Sequence, residues 1–200
     1  LGKAKAQPKF RQLLSKSAAI NHLSAARMFL FGARDVWFVV ALPVYLSQVL
    51  GWDVWQVGGF LAAWVIGYGM VQTFAPALTG KAQGRLPDGR AAFVWAMLLA
   101  GIPALIALGL ASAMSAQWVL IGGLLLFGAV FAVNSALHSY LIISYAKADG
   151  VSLDVGFYYM ANALGRLLGT LLSGWLYQVY GLQACLWVAS LLVLLAALIS

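Results

Sequence analysis

Charge is the scarcest ingredient of this sequence. Only 8% of its 200 residues are Asp, Glu, Lys or Arg, against the roughly one quarter that a water-facing domain carries. That deficit excludes a soluble globule, and with a hydrophobic fraction of 64% the outer surface has to face lipid. Cysteine is nearly absent as well. Cys185 stands alone, which excludes an intramolecular disulfide and a Cys-based metal site. There is no Gly-x-Ser-x-Gly turn, and Ser135 and Ser139 share one apolar run with His138, so a serine nucleophile with its base is not expected. No His/carboxylate cluster suits a metal. The chain is read as neither an enzyme nor a nucleic-acid binder, and it calls for no cofactor. It starts at Leu1 without a cleavable apolar leader, which reads as a fragment of a longer polypeptide and not as a signal peptide.

What the chain does contain is six long apolar runs, at 24–48, 53–79, 91–112, 117–146, 154–179 and 182–200. About 20 such residues cross the hydrocarbon of a bilayer as a helix. Continuous runs favour helices over barrel strands, which alternate over about ten residues. The expected fold is therefore all-α and integral to the membrane. Residues 1–23 form a basic cytoplasmic lead-in, an interdomain loop, and 24–200 a domain of six transmembrane helices. Asp53 and Asp154 stand where helix N-caps are wanted. Pro43, Pro76 and Pro103 are expected to kink their helices. Gly165 and Gly169, and likewise Gly67 and Gly69, are expected to let helix backbones approach closely.

The few charges are unevenly distributed. Lys3, Lys5, Lys9, Arg11, Lys16, Arg27, Lys81, Arg85, Arg90 and Lys147 lie outside the apolar cores or at their edge. All fall on one side of a six-span bundle, which the positive-inside rule makes cytoplasmic, so both ends of the bundle are expected there. Trp52, Trp55, Trp118 and Tyr180 then mark the outer interface. A faint echo between Asp53-Val54…Gly59-Phe60 and Asp154-Val155-Gly156-Phe157 fits a 3+3 inverted repeat.

Polar residues inside the runs are costly, roughly 2.5–3.5 kcal/mol for a charge at the centre of a span, and here they cluster. The first span holds Arg34 and Asp35, the second Tyr68 and Gln72. The fourth holds Asn134 and His138, and the fifth Tyr158, Asn162, Arg166 and Ser173 at helical spacing. The third and sixth hold no ionisable group in their cores. This pattern predicts four helices around a water-accessible cavity and two bracing it. Neighbours on a helix point about 100° apart, so Arg34 and Asp35 are not expected to pair with each other. Their partners are expected from another helix, from a further part of the protein or from a ligand. Arg34 and Arg166 against Asp35 leave one surplus positive charge, which suits an anionic solute gripped by planar guanidinium forks. Plainer roles are open too. Arg166 also fits a structural cation on backbone carbonyls, Asn134 and Asn162 fit interhelical glue, and His138 fits a structural or solvated residue near the inner surface.

Six helices behind a polar lead-in, with the basic loop Gly80 to Arg90 (GKAQGRLPDGR) between the second and third, resemble the C-terminal half of a major facilitator superfamily transporter. The loop departs from that superfamily's Asp-Arg-x-Gly-Arg order. Two stretches are more specific: Phe31 to Val40 (FGARDVWFVV) and Gly51 to Phe60 (GWDVWQVGGF), extended by Ala63 to Gly69 (AWVIGYG). They are similar to the ArsJ organoarsenical efflux permeases. This resemblance implies export of a small anionic ester of arsenate and 3-phosphoglycerate from a bacterial cell through its inner membrane, conferring arsenate resistance. It also implies an N-terminal six-helix half as partner and a functional link to glyceraldehyde-3-phosphate dehydrogenase.

The reading is then of a secondary exporter working by alternating access in a lipid bilayer. Arg34 and Arg166 would be its anion ligands and Asp35 a coupling or gating carboxylate. Gln72, Asn134, Tyr158 and Asn162 would supply neutral hydrogen bonds. A facilitator for another small organic anion or drug, and a channel or structural subunit, are the alternatives.

Overall fold

The computed structural model describes residues 17–78, 89–146 and 151–200. Most of the expected basic cluster (Lys3, Lys5, Lys9, Arg11, Lys16, Lys81, Arg85 and Lys147) lies outside them, as does all but the end of the Gly80–Arg90 loop. The described residues are helical: α1 Ala18–Phe38, α2 Ala41–Gln48, α3 Val54–Leu78, α4 Gly89–Ala111, α5 Ala116–Tyr145 and α6 Val151–Ile199. Helix α1 thus begins at Ala18, inside the stretch read as lead-in. Among the described residues, five candidate membrane spans are long and apolar enough to cross a bilayer, α1 and α2 counting as one.

That first span is interrupted because Pro43, the third residue of α2, has no N–H to offer the Val39 carbonyl. The chain breaks between Phe38 and Ala41. The Ala41 amide freed by the break donates to Ser173 Oγ at 3.1 Å, so α6 supplies the acceptor that α1 no longer can. An amide unsatisfied in an apolar surround would be strongly destabilising.

Helix α2 ends at Gly51, whose φ of +72° is the left-handed conformation that glycine adopts without strain. The Trp52 amide then donates to the Leu46 carbonyl at 3.0 Å, which closes the end of the helix. The expected cap at Asp53 is present as a reciprocal pair. Gln56 N donates to Asp53 Oδ1 at 2.8 Å and Asp53 N donates to Gln56 Oε1 at 2.9 Å. Asp154 differs: α6 starts at Val151, so its carboxylate sits in the first turn and not at the cap.

Helix α6 is 49 residues long, which as a straight rod would be more than twice the ~30 Å hydrocarbon thickness. It is not straight. Gly181 is non-helical at φ 79° and ψ −177°, and Cys185 Sγ lies 3.9 Å from the Ser173 carbonyl oxygen. Twelve residues along one helix would separate those groups by about 18 Å. The chain therefore reverses at Gly181 into a second arm. That arm runs back beside α4: Ser190 Oγ donates to the Ala100 carbonyl at 2.6 Å, next to Pro103.

Helix α1 packs most extensively on α6, while α3 leans on α5. Ile20 and Leu23 of α1, Ala92 of α4, Leu141 and Ile142 of α5 and Tyr158 of α6 form one apolar cluster. Trp52, Gln56 and Gln117 share a hollow between the α2–α3 connection, the start of α3 and the start of α5. Trp55, Trp118 and Tyr180, expected at a membrane interface, are exposed.

The glycine expectations divide. A Cβ on Gly169 would lie 2.6 Å from the Gly32 carbonyl oxygen, and one on Gly165 would meet the Met28 carbonyl. These two glycines seat α6 on the backbone of α1, as expected. Gly67 and Gly69 do no such work: no described atom lies within 4 Å of a Cβ at either position. Gly169→Val is expected to destabilise the protein by about 1–3 kcal/mol through overpacking, whereas Gly67→Ala should shift stability by no more than about 1 kcal/mol, upward. Thermal unfolding in detergent checks both.

Candidate functional site

Asp35 is the centre of the polar interior. Its side chain is 1% exposed and each carboxylate oxygen takes a guanidinium: Arg34 Nε at 2.6 Å on Oδ1, Arg166 Nε at 3.1 Å on Oδ2. The second contact comes from another helix, α6, one of the three sources of a partner that the spacing left open. The first corrects the expectation that Arg34 and Asp35 do not pair. Adjacent helix positions fix only the direction of Cβ, and the long arginine stem bends back far enough to place Nε on the neighbouring carboxylate. Arg34 is steadied by the Phe31 and Phe131 rings, 4.9 and 5.5 Å from Cζ. Arg166 remains 54% exposed while bound to Asp35. Its described bond is to that carboxylate and not to the backbone carbonyls of the structural alternative.

Arg27 is the residue that sequence reasoning misplaced. Assigned to the cytoplasmic edge, it is only 5% exposed. Nε donates to Asn162 Oδ1 at 3.1 Å, and Nη1 donates to the carbonyl and hydroxyl oxygens of Ser135 at 3.1 and 3.2 Å. Its Cζ stands 4.0 Å from the centre of the Phe31 ring and 5.2 Å from that of Tyr158. The available signal was its spacing: Arg27 precedes Arg34 by seven residues, two helical turns, and so shares its face. Phe31 lies between them and touches both guanidiniums.

The other expected site residues separate. Asn162 and Tyr158 join the Arg27 group, where Asn162 is a neutral acceptor and Tyr158 is wholly buried. Asn134 turns away from the arginines and donates to the Trp95 carbonyl of α4 at 2.9 Å and to Val130 at 3.0 Å. That is the glue role, and it makes α4 a polar partner and not merely a brace. Ser173 is occupied at the α1 break. His138 is wholly buried, away from the protein surface, and neither ring nitrogen has a hydrogen-bond partner among the described residues. Gln72 is half-buried on α3, one turn beyond Tyr68. Tyr68 stacks on Trp64 with centroids 5.6 Å apart, at an apolar hollow of about 200 Å³ between α3 and α5. This hollow, walled by aromatic and small residues, is not the cavity of four polar faces that the pattern predicted.

With Arg27 included, three guanidiniums face one carboxylate in the described interior, a surplus of two positive charges. A helical membrane bundle with inward-facing arginines on α1 suits a carrier. The family model of the Major Facilitator Superfamily matches residues 5–200. The chain belongs to the major facilitator superfamily. It is accordingly a multi-pass membrane protein of a secondary-transporter family. No curated protein matches the chain.

Within this facilitator the two sides of the Asp35 cluster should respond differently. Asp35→Asn leaves two guanidiniums facing an uncharged group inside the bundle and is expected to cost about 3–5 kcal/mol. Arg166→Gln removes a half-exposed partner whose pairing is screened, so its effect on the unfolding midpoint should be clearly smaller. Thermal unfolding of the two variants side by side decides this.

Proposed function

We propose that this facilitator moves a small, multiply charged anion by alternating access, with Arg34 and Arg166 as its ligands. The observation that carries the reading is Asp35 held between two guanidiniums, one of them half open to its surroundings. Each arginine spends Nε on Asp35, which leaves terminal N–H groups for an oxyanion. Asp35 acts as the internal counter-charge of the empty site, and an arriving anion competes with it for Arg166. Two surplus charges favour a solute bearing more than one negative charge. Gln72 stays a neutral ligand in this proposal, whereas Asn162 and Tyr158 act by holding Arg27, and Asn134 by fastening α5 to α4.

The similarity of Phe31–Val40 and Gly51–Phe60 to the ArsJ permeases supports the arsenate ester of 3-phosphoglycerate as that solute, with export from a bacterial cell. It also supports six crossings, the last two being the arms of α6 on either side of Gly181. They would form the C-terminal half of a twelve-helix carrier, in a 3+3 inverted arrangement with both ends cytoplasmic. Another small organic anion is accommodated by the same arginines.

Cells expressing the full-length protein are expected to lose arsenate resistance and arsenic efflux at least tenfold with Arg34→Ala, about the worth of one charge-assisted bond. Unchanged efflux at equal membrane expression would remove Arg34 from the site. If Asp35 couples transport to protons, an uncoupler should stop efflux in the parent. Uncoupler-resistant efflux would exclude that role.

A further inference from the structure

Arg27 has no carboxylate partner among the described residues. All its described hydrogen bonds go to neutral acceptors, Asn162 and Ser135, and its planar faces lie near the Phe31 and Tyr158 rings. A guanidinium withdrawn from water without a counter-ion is strongly disfavoured. Around it are further polar groups with unmet hydrogen bonds. Ser24, one turn earlier on α1, is buried, and its hydroxyl has no partner. His138, one turn beyond the Ser135 that Arg27 bonds on α5, is fully buried with both ring nitrogens unbonded among the described residues. Internal waters could satisfy Ser24 and His138. They would leave the charge of Arg27 uncompensated.

We propose that Arg27, Ser24 and His138 form a second, inner station for an oxyanion, two helical turns along α1 from the Arg34–Asp35–Arg166 cluster. It rests on the reading of this chain as an anion carrier. The group offers a fork of N–H donors, a hydroxyl and an imidazole N–H, with no described carboxylate to repel the ligand. Phe31 connects the two stations, 4.0 Å from the Arg27 Cζ and 4.9 Å from that of Arg34. An anion leaving one guanidinium therefore meets the next along the same face of α1. The anionic group is phosphate-like and belongs either to the carried solute or to free inorganic anion.

The test melts the purified full-length protein with inorganic phosphate against chloride at equal ionic strength. Phosphate should raise the midpoint of the parent. Removing Arg27 would also break its bonds to α5 and α6, so the informative variants are Ser24→Ala and His138→Leu. Each deletes a buried group that has no partner in the empty protein, so the phosphate-free midpoint should hold or rise. Apparent phosphate affinity should nevertheless fall about tenfold in each, as for one lost charge-assisted bond. Arg166→Gln, which removes one of the two guanidiniums of the outer cluster, should retain most of the phosphate effect. Stabilisation by 3-phosphoglycerate as well assigns the station to a group on the solute, and stabilisation by phosphate alone assigns it to a free anion. Either outcome supports the station. No stabilisation of the parent, or undiminished stabilisation in both variants, overturns it. Loss of the phosphate effect with Arg166→Gln but not with Ser24→Ala or His138→Leu also overturns it, while leaving the carrier reading intact.

Discussion

Gly165 and Gly169 bring the backbone of α6 onto that of α1 at Met28 and Gly32, and this close approach sets the distance at which the polar side chains of the two helices meet. With larger residues there, Arg166 would stand off from Asp35 and Asn162 from Arg27, because those bonds tolerate only a few tenths of an ångström. The contact is a matter of shape. Lipid tails are as apolar as leucine, so helices in a membrane associate through packing and interhelical hydrogen bonds.

Around that contact the interior follows one demand: a polar group taken from water needs a partner inside the protein. The Ala41 amide finds Ser173 across the interface, Trp64 Nε1 finds the Leu124 carbonyl at 2.8 Å, and Asn134 finds Trp95. Asp35 finds two arginines. Among the described residues Ser24 and His138 find no such partner, and Arg27 finds neutral acceptors without a counter-charge. In an anion carrier of the kind proposed, a fully paired guanidinium would have nothing to offer a solute.

Much of this was legible in the chain. The apolar runs located the helices because a rise of 1.5 Å per residue and a bilayer of fixed thickness leave little choice. The Asp53 cap was readable because it is a contact between near neighbours. Arg34, Asp35 and Arg166 stood out because charges in apolar runs are rare. Arg27 did not, since it lay within a few residues of the expected span edge and a boundary error of that size hides a buried charge. The open surroundings of Gly67 and Gly69 were also hidden, because spacing shows which residues share a face but not what the face meets.

The sequence by itself determined that the protein crosses a membrane in helices and that its interior carries more positive than negative charge. Both follow from transfer energies and one-dimensional periodicity. Only the tertiary structure decided that Asp35 joins Arg34 to Arg166, and that Arg27 is a buried cation facing Asn162 and Ser135. These pairings span 108 to 135 residues or depend on the bend of a long side chain. Such contacts are set by how closely two helices pack and at what rotation, which no local pattern encodes.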